Sequence, residues 1–217
     1  MPICGVIFDM DGVLVDSEEW ICRAAIAMFA EHGVEVYPED FLPFVGAGEN
    51  RYLGGVAEKY GFDIDIERDK ARTYAIYTDM VSGRLEPLPG VHDFFEKCRG
   101  RGLRLGLATA ADRIKMEVNL REIGLPPEDF DAAVNGLDVT NKKPDPEIFL
   151  LAAEKMEVDP ASCLVVEDSL NGILAGRAAG ARCLGLTTSF PKQELQAKGA
   201  DWTAPDLSTA PLACLEW

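Results

Sequence analysis

The sequence predicts an α/β protein: a doubly wound parallel sheet interrupted by an inserted α-helical domain. Three observations carry that prediction. An apolar run, Val6-Ile7-Phe8, opens the chain and breaks at once into Asp9-Met10-Asp11-Gly12. From Gly90 onward, short apolar runs alternate with helical stripes of about ten residues, the pattern of strands joined by crossover helices. Between these regions, residues 18–85 show three helical patterns and no strand. The expected boundaries are a core of residues 1–17 and 86–217 and an insert of residues 18–85.

Val6-Ile7-Phe8 has no polar alternation, so it reads as a strand covered on both faces. Side chains alternate along a strand, which aims Asp9 and Asp11 the same way, roughly 7 Å apart. Such a pair repels itself unless a cation or proton lies between. Gly12 permits a sharp exit. In the insert, Ile21, Ala25, Met28 and Phe29 form a helical stripe with Ser17 as N-cap and Gly33 as stop. Tyr52, Val56, Ala57 and Tyr60, closed by Gly61, predict a second helix. Ala71, Tyr74, Ala75, Thr78 and Val81, closed by Gly83, predict a third. Asp16-Ser17 and Arg84–Pro89 are the linkers, the second stiffened by Pro87 and Pro89. Val91, Phe94, Phe95 and Cys98 then give a helix, and residues 103–108 a strand. A helix over 112–123 stops at Gly124, and a short strand covers 132–134. A helix over 146–156 leads to a buried strand at 164–166. The helix 169–179 ends at Gly180, and a strand covers 183–186. The tail, 191–199 and 207–217, reads as helical.

The 217 residues suffice for one substantial core and a small satellite domain. No run reaches the ~20 apolar residues of a membrane span, and the N-terminus lacks a basic-then-apolar signal pattern. A cytoplasmic protein is expected, monomeric by default. The net charge of −16, from 37 acids against 21 bases, repels nucleic acid and anionic membrane alike. It does not exclude a small phosphorylated molecule, because a metal ion and one lysine can invert the field inside a pocket. The six cysteines show no C-x-x-C spacing. Cys4, Cys163 and Cys183 flank strand-like runs, where a free thiol acts as a small buried hydrophobe. His32 and His92 fall at surface positions of helical patterns.

In doubly wound sheets, ligands bind beyond the carboxyl ends of the strands. The notable polar residues stand there. Asp9 and Asp11 follow the first strand, Thr109 follows Leu105–Ala108, and Glu167-Asp168 follows Val165-Val166. Lys143, in Asn141-Lys142-Lys143-Pro144, lies in a loop leading into a helix. Taken singly, each has a plain structural reading: a solvated loop, a helix cap, a surface lysine, charges favoured by a helix dipole. The topology brings all four stations to one edge.

Asp9-Met10-Asp11-Gly12-Val13 after a buried first strand resembles motif I of the haloacid dehalogenase superfamily, in its phosphatase and β-phosphoglucomutase branch. That resemblance implies a Rossmann-like core with a helical cap. It makes Asp9 a nucleophile that becomes phosphorylated and Asp11 the general acid/base, whose carbonyl also binds Mg²⁺. Thr109 matches motif II, whose hydroxyl bonds the phosphoryl group, with the Ala110 amide as a second donor. Lys143 rather than Lys142 matches motif III, because the family lysine directly precedes proline in K-P-x-P and K-P-D-P stands here. Glu167-Asp168 resembles motif IV, with Ser169 opening the next helix. Asp9, Asp11, Glu167 and Asp168 bring four negatives against Lys143. A phosphate dianion added to that edge calls for a divalent cation. Oxygen donors suit Mg²⁺, and the expected ligands are Asp9, Asp168, the Asp11 carbonyl and Glu167.

An acid at Asp11 favours phosphate esters over the family's dehalogenase and phosphonate chemistries. Against a β-phosphoglucomutase, Asp16–Ile21 lacks the mutases' histidine, and Gly46–Arg51 does not align with their cap arginine signature. Arg51 is a candidate substrate contact or a surface helix arginine. Phe44–Tyr60 also resembles the cap of such domains in some plant chloroplast proteins. The expected activity is Mg²⁺-dependent hydrolysis of a small phosphorylated metabolite, a phosphosugar, through an aspartyl phosphate. The alternatives are phosphoglucomutase-type transfer and a non-enzymatic receiver-like phosphoacceptor; receivers are shorter and carry no helical insert.

Overall fold

The computed structural model describes residues 2–44 and 48–217. Its centre is a sheet of strands β1 (Gly5–Phe8), β2 (Arg104–Ala108), β3 (Ala132–Val134), β4 (Cys163–Glu167), β5 (Arg182–Leu186) and β6 (Trp202–Ala204). The spatial order is β3-β2-β1-β4-β5-β6, every neighbour parallel. β1 is central, and all four of its residues are buried.

Nine α-helices are described: α1 (Glu18–Glu31), α2 (Pro38–Phe41), α3 (Glu49–Tyr60), α4 (Ile66–Val81), α5 (Val91–Gly100), α6 (Arg113–Glu122), α7 (Glu147–Lys155), α8 (Leu170–Ala178) and α9 (Lys192–Ala197). Strand alternation sorts the core into two layers. Val6, Phe8, Leu105, Leu107, Leu164 and Val166 pack with Phe94 and Phe95 of α5 and Met116 and Leu120 of α6. Ile7, Val165 and Cys183 face the other way, onto Ile148 and Phe149 of α7 and Ile173 of α8. Apolar burial on both faces explains why the strands read as continuous apolar runs.

Among the described residues, the segment from Glu18 to Val81 adds helices and no strand. Met28 and Phe29 of α1, Phe41 of α2 and Leu53 and Val56 of α3 form a separate apolar cluster. The two linkers run side by side: Val15 bridges Pro87, and Leu88 N donates to Leu14 O at 2.9 Å.

Four local expectations are corrected. Ser17 makes no side-chain cap to α1; its hydroxyl is drawn to Asp11 instead. The four-residue α2 is too short to leave a periodic signal. The tail holds the short helix α9, the three-residue strand β6 and 3₁₀ turns at Leu207–Thr209 and Leu212–Leu215 rather than two helices. Cys4 is exposed because it precedes β1, whereas Cys163 and Cys183 are buried free thiols. His32 and His92 lie at exposed positions, as expected. Gly46 and Ala47, within the stretch compared with the mutase signature, lie outside the described residues. No described helix is long and apolar enough to cross a membrane.

Candidate active site

Register builds the site. Phe8 lies level with Leu107 on one side and Val166 on the other, so the residues that follow emerge at one carboxyl edge. Asp9 N donates to Val166 O at 2.9 Å, and Thr109 N to Val134 O at 3.0 Å. The ladder ends there and the side chains turn outward from a fixed frame. This is the position where strand order reverses, the usual ligand crevice of such sheets.

Lys143 joins the stations. Its Nζ donates to Asp9 Oδ1 at 2.5 Å, to Glu167 Oε1 at 2.7 Å and to Ala108 O at 3.2 Å. It also stands 4.9 Å from the Phe149 ring centre, a favourable place for a cation. Burial works against this ammonium, but Asp9 and Glu167 outweigh it and hold its pKa above the ordinary lysine value. Burial pushes Asp9 up to about 7, with Lys143 opposing and Glu167 and Asp11 adding. Asp168 rises to about 8 through burial and the neighbouring Glu167 and Asp9. For both carboxyls, burial and the neighbouring acids outweigh the positive charge that Lys143 supplies.

Glu167 is taken up by protein donors on every side. It is 1% exposed, and both oxygens are already engaged. Oε1 takes Lys143; Oε2 accepts from Asp168 N at 2.9 Å, Ser169 N at 2.7 Å and Ser169 Oγ at 2.8 Å. It orients the lysine and ties down the start of α8, where Ser169 Oγ accepts from Gly172 N at 2.9 Å. Asp168 Oδ2 accepts from the Ser189 hydroxyl, and a Cβ on Gly12 would collide with its carboxyl group. One oxygen each of Asp9 and Asp168 takes no donor among the described residues. No group of three or more His, Cys, Asp or Glu side chains converges as a metal cluster among the described residues. Two carboxylates supplemented by a backbone carbonyl and water is the arrangement Mg²⁺ prefers, rather than that of zinc or calcium. Asp9, Asp168 and the Asp11 carbonyl fit that ion.

Thr109 is 1% exposed, and its Oγ1 accepts from Ala111 N at 3.1 Å, which leaves the hydroxyl proton available. The Ala110 amide has no acceptor among the described residues, and Ala110 lines the cavity. Asp11 is held next to the first linker. Its Oδ1 accepts from Ser17 and its Oδ2 from Lys115 Nζ at 2.9 Å. Ser17 Oγ in turn accepts from Asn119 Nδ2 at 3.2 Å, and Asn119 Oδ1 from Tyr77 of α4. Sequence reasoning missed Lys115 and Asn119. The available signal was a lysine and an asparagine four residues apart on the face of α6 that carries Met116 and Leu120. Ser189 left none. Arg51 is not brought to the others: it pairs with Glu58 at 2.9 Å, lies over the Phe44 ring and is half exposed.

The converging residues open onto a cavity of about 850 Å³ between the sheet edge and the helical insert. A cavity of that size holds a small metabolite.

The family model described as "haloacid dehalogenase-like hydrolase" matches residues 3–180. The chain is 40% identical over 210 residues to the protein SUPPRESSOR OF QUENCHING 1, chloroplastic, of Arabidopsis thaliana, covering 94% of this chain but only 20% of that longer protein. It is 34% identical to the phosphorylated carbohydrates phosphatase of Thermotoga maritima, covering 81% of each chain. The solved structure of CbbY from Rhodobacter sphaeroides in complex with xylulose 1,5-bisphosphate superposes with a TM-score of 0.88 at 28% identity, over 99% of this chain and 100% of that one.

Proposed function

The chain belongs to the haloacid dehalogenase-like hydrolases, as a phosphoric monoester hydrolase, and from that premise we propose that it is a Mg²⁺-dependent phosphatase of a small phosphorylated sugar or related metabolite. The observation that carries this reading is the Lys143 ammonium bridging Asp9 and Glu167 at the edge where Thr109 and Asp168 also stand. A buried nucleophile, a fixed cation and free amide and hydroxyl donors together suit an incoming phosphoryl group.

In the first step the Asp9 carboxylate attacks phosphorus. The bond to the leaving oxygen breaks, and Asp11 gives that oxygen its proton. In the second, Asp11 takes a proton from water. The water oxygen bonds to phosphorus, the Asp9–phosphorus linkage breaks, and phosphate leaves with both carboxyls restored. Lys143, Thr109 and the Ala110 amide bind the non-reacting phosphoryl oxygens, while Ser17 and Lys115 fix where Asp11 stands. Asp9, Asp168 and the Asp11 carbonyl would hold Mg²⁺, whose charge would offset the negative charge on the phosphoryl oxygens. Residues 18–85 act as a cap over the site, with the paired linkers at Val15 and Pro87 as its hinge.

Asp9→Asn tests the reading. Hydrolysis of p-nitrophenyl phosphate with Mg²⁺ should be lost, and an acid-quenched phosphoenzyme should map to Asp9 in the parent protein. Activity of the variant near the parental level would refute the assignment. Isomerisation of a sugar phosphate without phosphate release would instead point to the mutase alternative.

A further inference from the structure

Both walls of the cavity are acidic, and they differ in what stands against that charge. At the sheet edge Lys143 serves the phosphoryl position. On the hinge and insert side, the lining adds Asp16, Glu18 and Glu49, with Ile21, Leu42 and Phe44 between. Lys115, the lysine on that side of the lining, is already shared by Asp11 at 2.9 Å and Glu18 at 3.6 Å. Lys142 belongs to the core loop and bonds the Gly136 carbonyl. The insert's nearby cations are also engaged: Lys70 by Asn50 at 2.7 Å and Asp112 at 2.9 Å, and Arg51 by Glu58. Val45, Gly46 and Ala47 bring no charge.

Glu49 Oε2 and the Tyr74 hydroxyl, with Tyr74 only 3% exposed, are buried beside each other without a well-formed hydrogen bond among the described residues, and Glu49 lines the cavity. Burial pushes Glu49 up to about 7 against the pull of Lys115. Near neutrality it can accept from or donate to a hydroxyl. An unmet buried polar group is costly until a ligand satisfies it. A hydroxyl does so; a second phosphate brings only negative charge to a wall of carboxylates.

We propose that this wall selects phosphomonoesters whose leaving group carries hydroxyls and no second anion, so that sugar and polyol monophosphates are substrates and bisphosphates are turned away. The inference rests on the phosphatase reading above and narrows its substrate. It separates this chain from the CbbY structure, which holds a bisphosphate in the same fold.

The test uses the full chain with Mg²⁺ and a matched pair, xylulose 5-phosphate and xylulose 1,5-bisphosphate, with p-nitrophenyl phosphate as a probe of the core chemistry. The expected kcat/KM favours the monophosphate by about tenfold or more. Glu49→Lys should shift that ratio toward the bisphosphate by about tenfold, and the isosteric Glu49→Gln by about threefold in the same direction. Glu49→Gln keeps the test intact should the lysine variant fail to fold. A parental preference for the bisphosphate, or a ratio unmoved by either folded variant, overturns the inference while leaving the phosphatase reading in place. Failure to turn over p-nitrophenyl phosphate overturns both.

Discussion

Replacing Gly172 by alanine sets two physical effects against each other. Gly172 is the third residue of α8, and alanine inside a helix gains roughly 0.5–1 kcal/mol over glycine. Here the added methyl would lie closer than 3.0 Å to the Glu167 carboxyl carbon and both of its oxygens. Glu167 is 1% exposed and is held by Lys143, two backbone amides and Ser169, so it has nowhere to go without breaking those bonds. Overpacking costs about 1–3 kcal/mol, and each lost hydrogen bond to a charged group about 1.5–3 kcal/mol. The net is a destabilisation of about 3 kcal/mol or more, which for a chain of this size lowers Tm by roughly 6–12 °C. Lys143 loses its anchor, and kcat should fall on the order of 10²-fold. Calorimetry and a phosphate-release assay on the purified variant measure both. Gly54→Ala is the control: it is also helical, but its new methyl would meet only Ile66 at 3.6 Å. It should therefore raise stability by about 0.5–1 kcal/mol. A Gly172→Ala protein as stable and active as its parent would refute the packing argument.

Lys143→Met should lower kcat by about 10²–10³-fold. It should also cost about 3–5 kcal/mol in a denaturant melt, because two buried carboxyls lose their counter-charge; an unchanged melt would contradict the ion-pair geometry. In metal-free protein, Asp9 (about 7) and Asp168 (about 8) hold protons in the folded state that the unfolded chain releases near pH 4. Their contribution to stability therefore falls as pH rises from about 4 to 8. Thermal shift should show a lower Tm at pH 8 than at pH 5 without metal, a shallower slope in Asp9→Asn, and greater stabilisation by Mg²⁺ at pH 8. Equal stabilisation at both pH values would count against that linkage. Ser189→Ala frees Asp168 Oδ2 and should weaken Mg²⁺ binding several-fold by titration calorimetry, since partners of metal ligands commonly matter at that level. Arg51→Ala should leave kcat/KM within about twofold and stability within about 0.5 kcal/mol, as for an exposed pair. A large loss of activity would restore Arg51 as a substrate contact.

Much of the fold was legible because its signals are local. Val6-Ile7-Phe8 and Leu164–Val166 are uninterrupted apolar runs because both of their faces are covered, and each ends in acids because the sheet edge is where water begins. Lys143 was identified through its place before Pro144, and the structure puts its nitrogen on Asp9. β6 escaped notice because three residues at a sheet edge gain their strand character from pairing with β5, not from their own pattern. Ser17 reads locally as a cap, but the partly buried Asp11 offered its hydroxyl a stronger partner.

What the sequence determined by itself was the order of strands and helices apart from α2 and β6, and the chemical kind of each group at the sheet edge, since periodicity and motif spacing are properties of neighbours in the chain. Only the tertiary structure decided that Lys115 would clamp Asp11 and that Glu167 would hold Lys143. Those pairings join residues far apart in sequence. Each is set by which buried charge can reach an oppositely charged or hydrogen-bonding partner once water is gone.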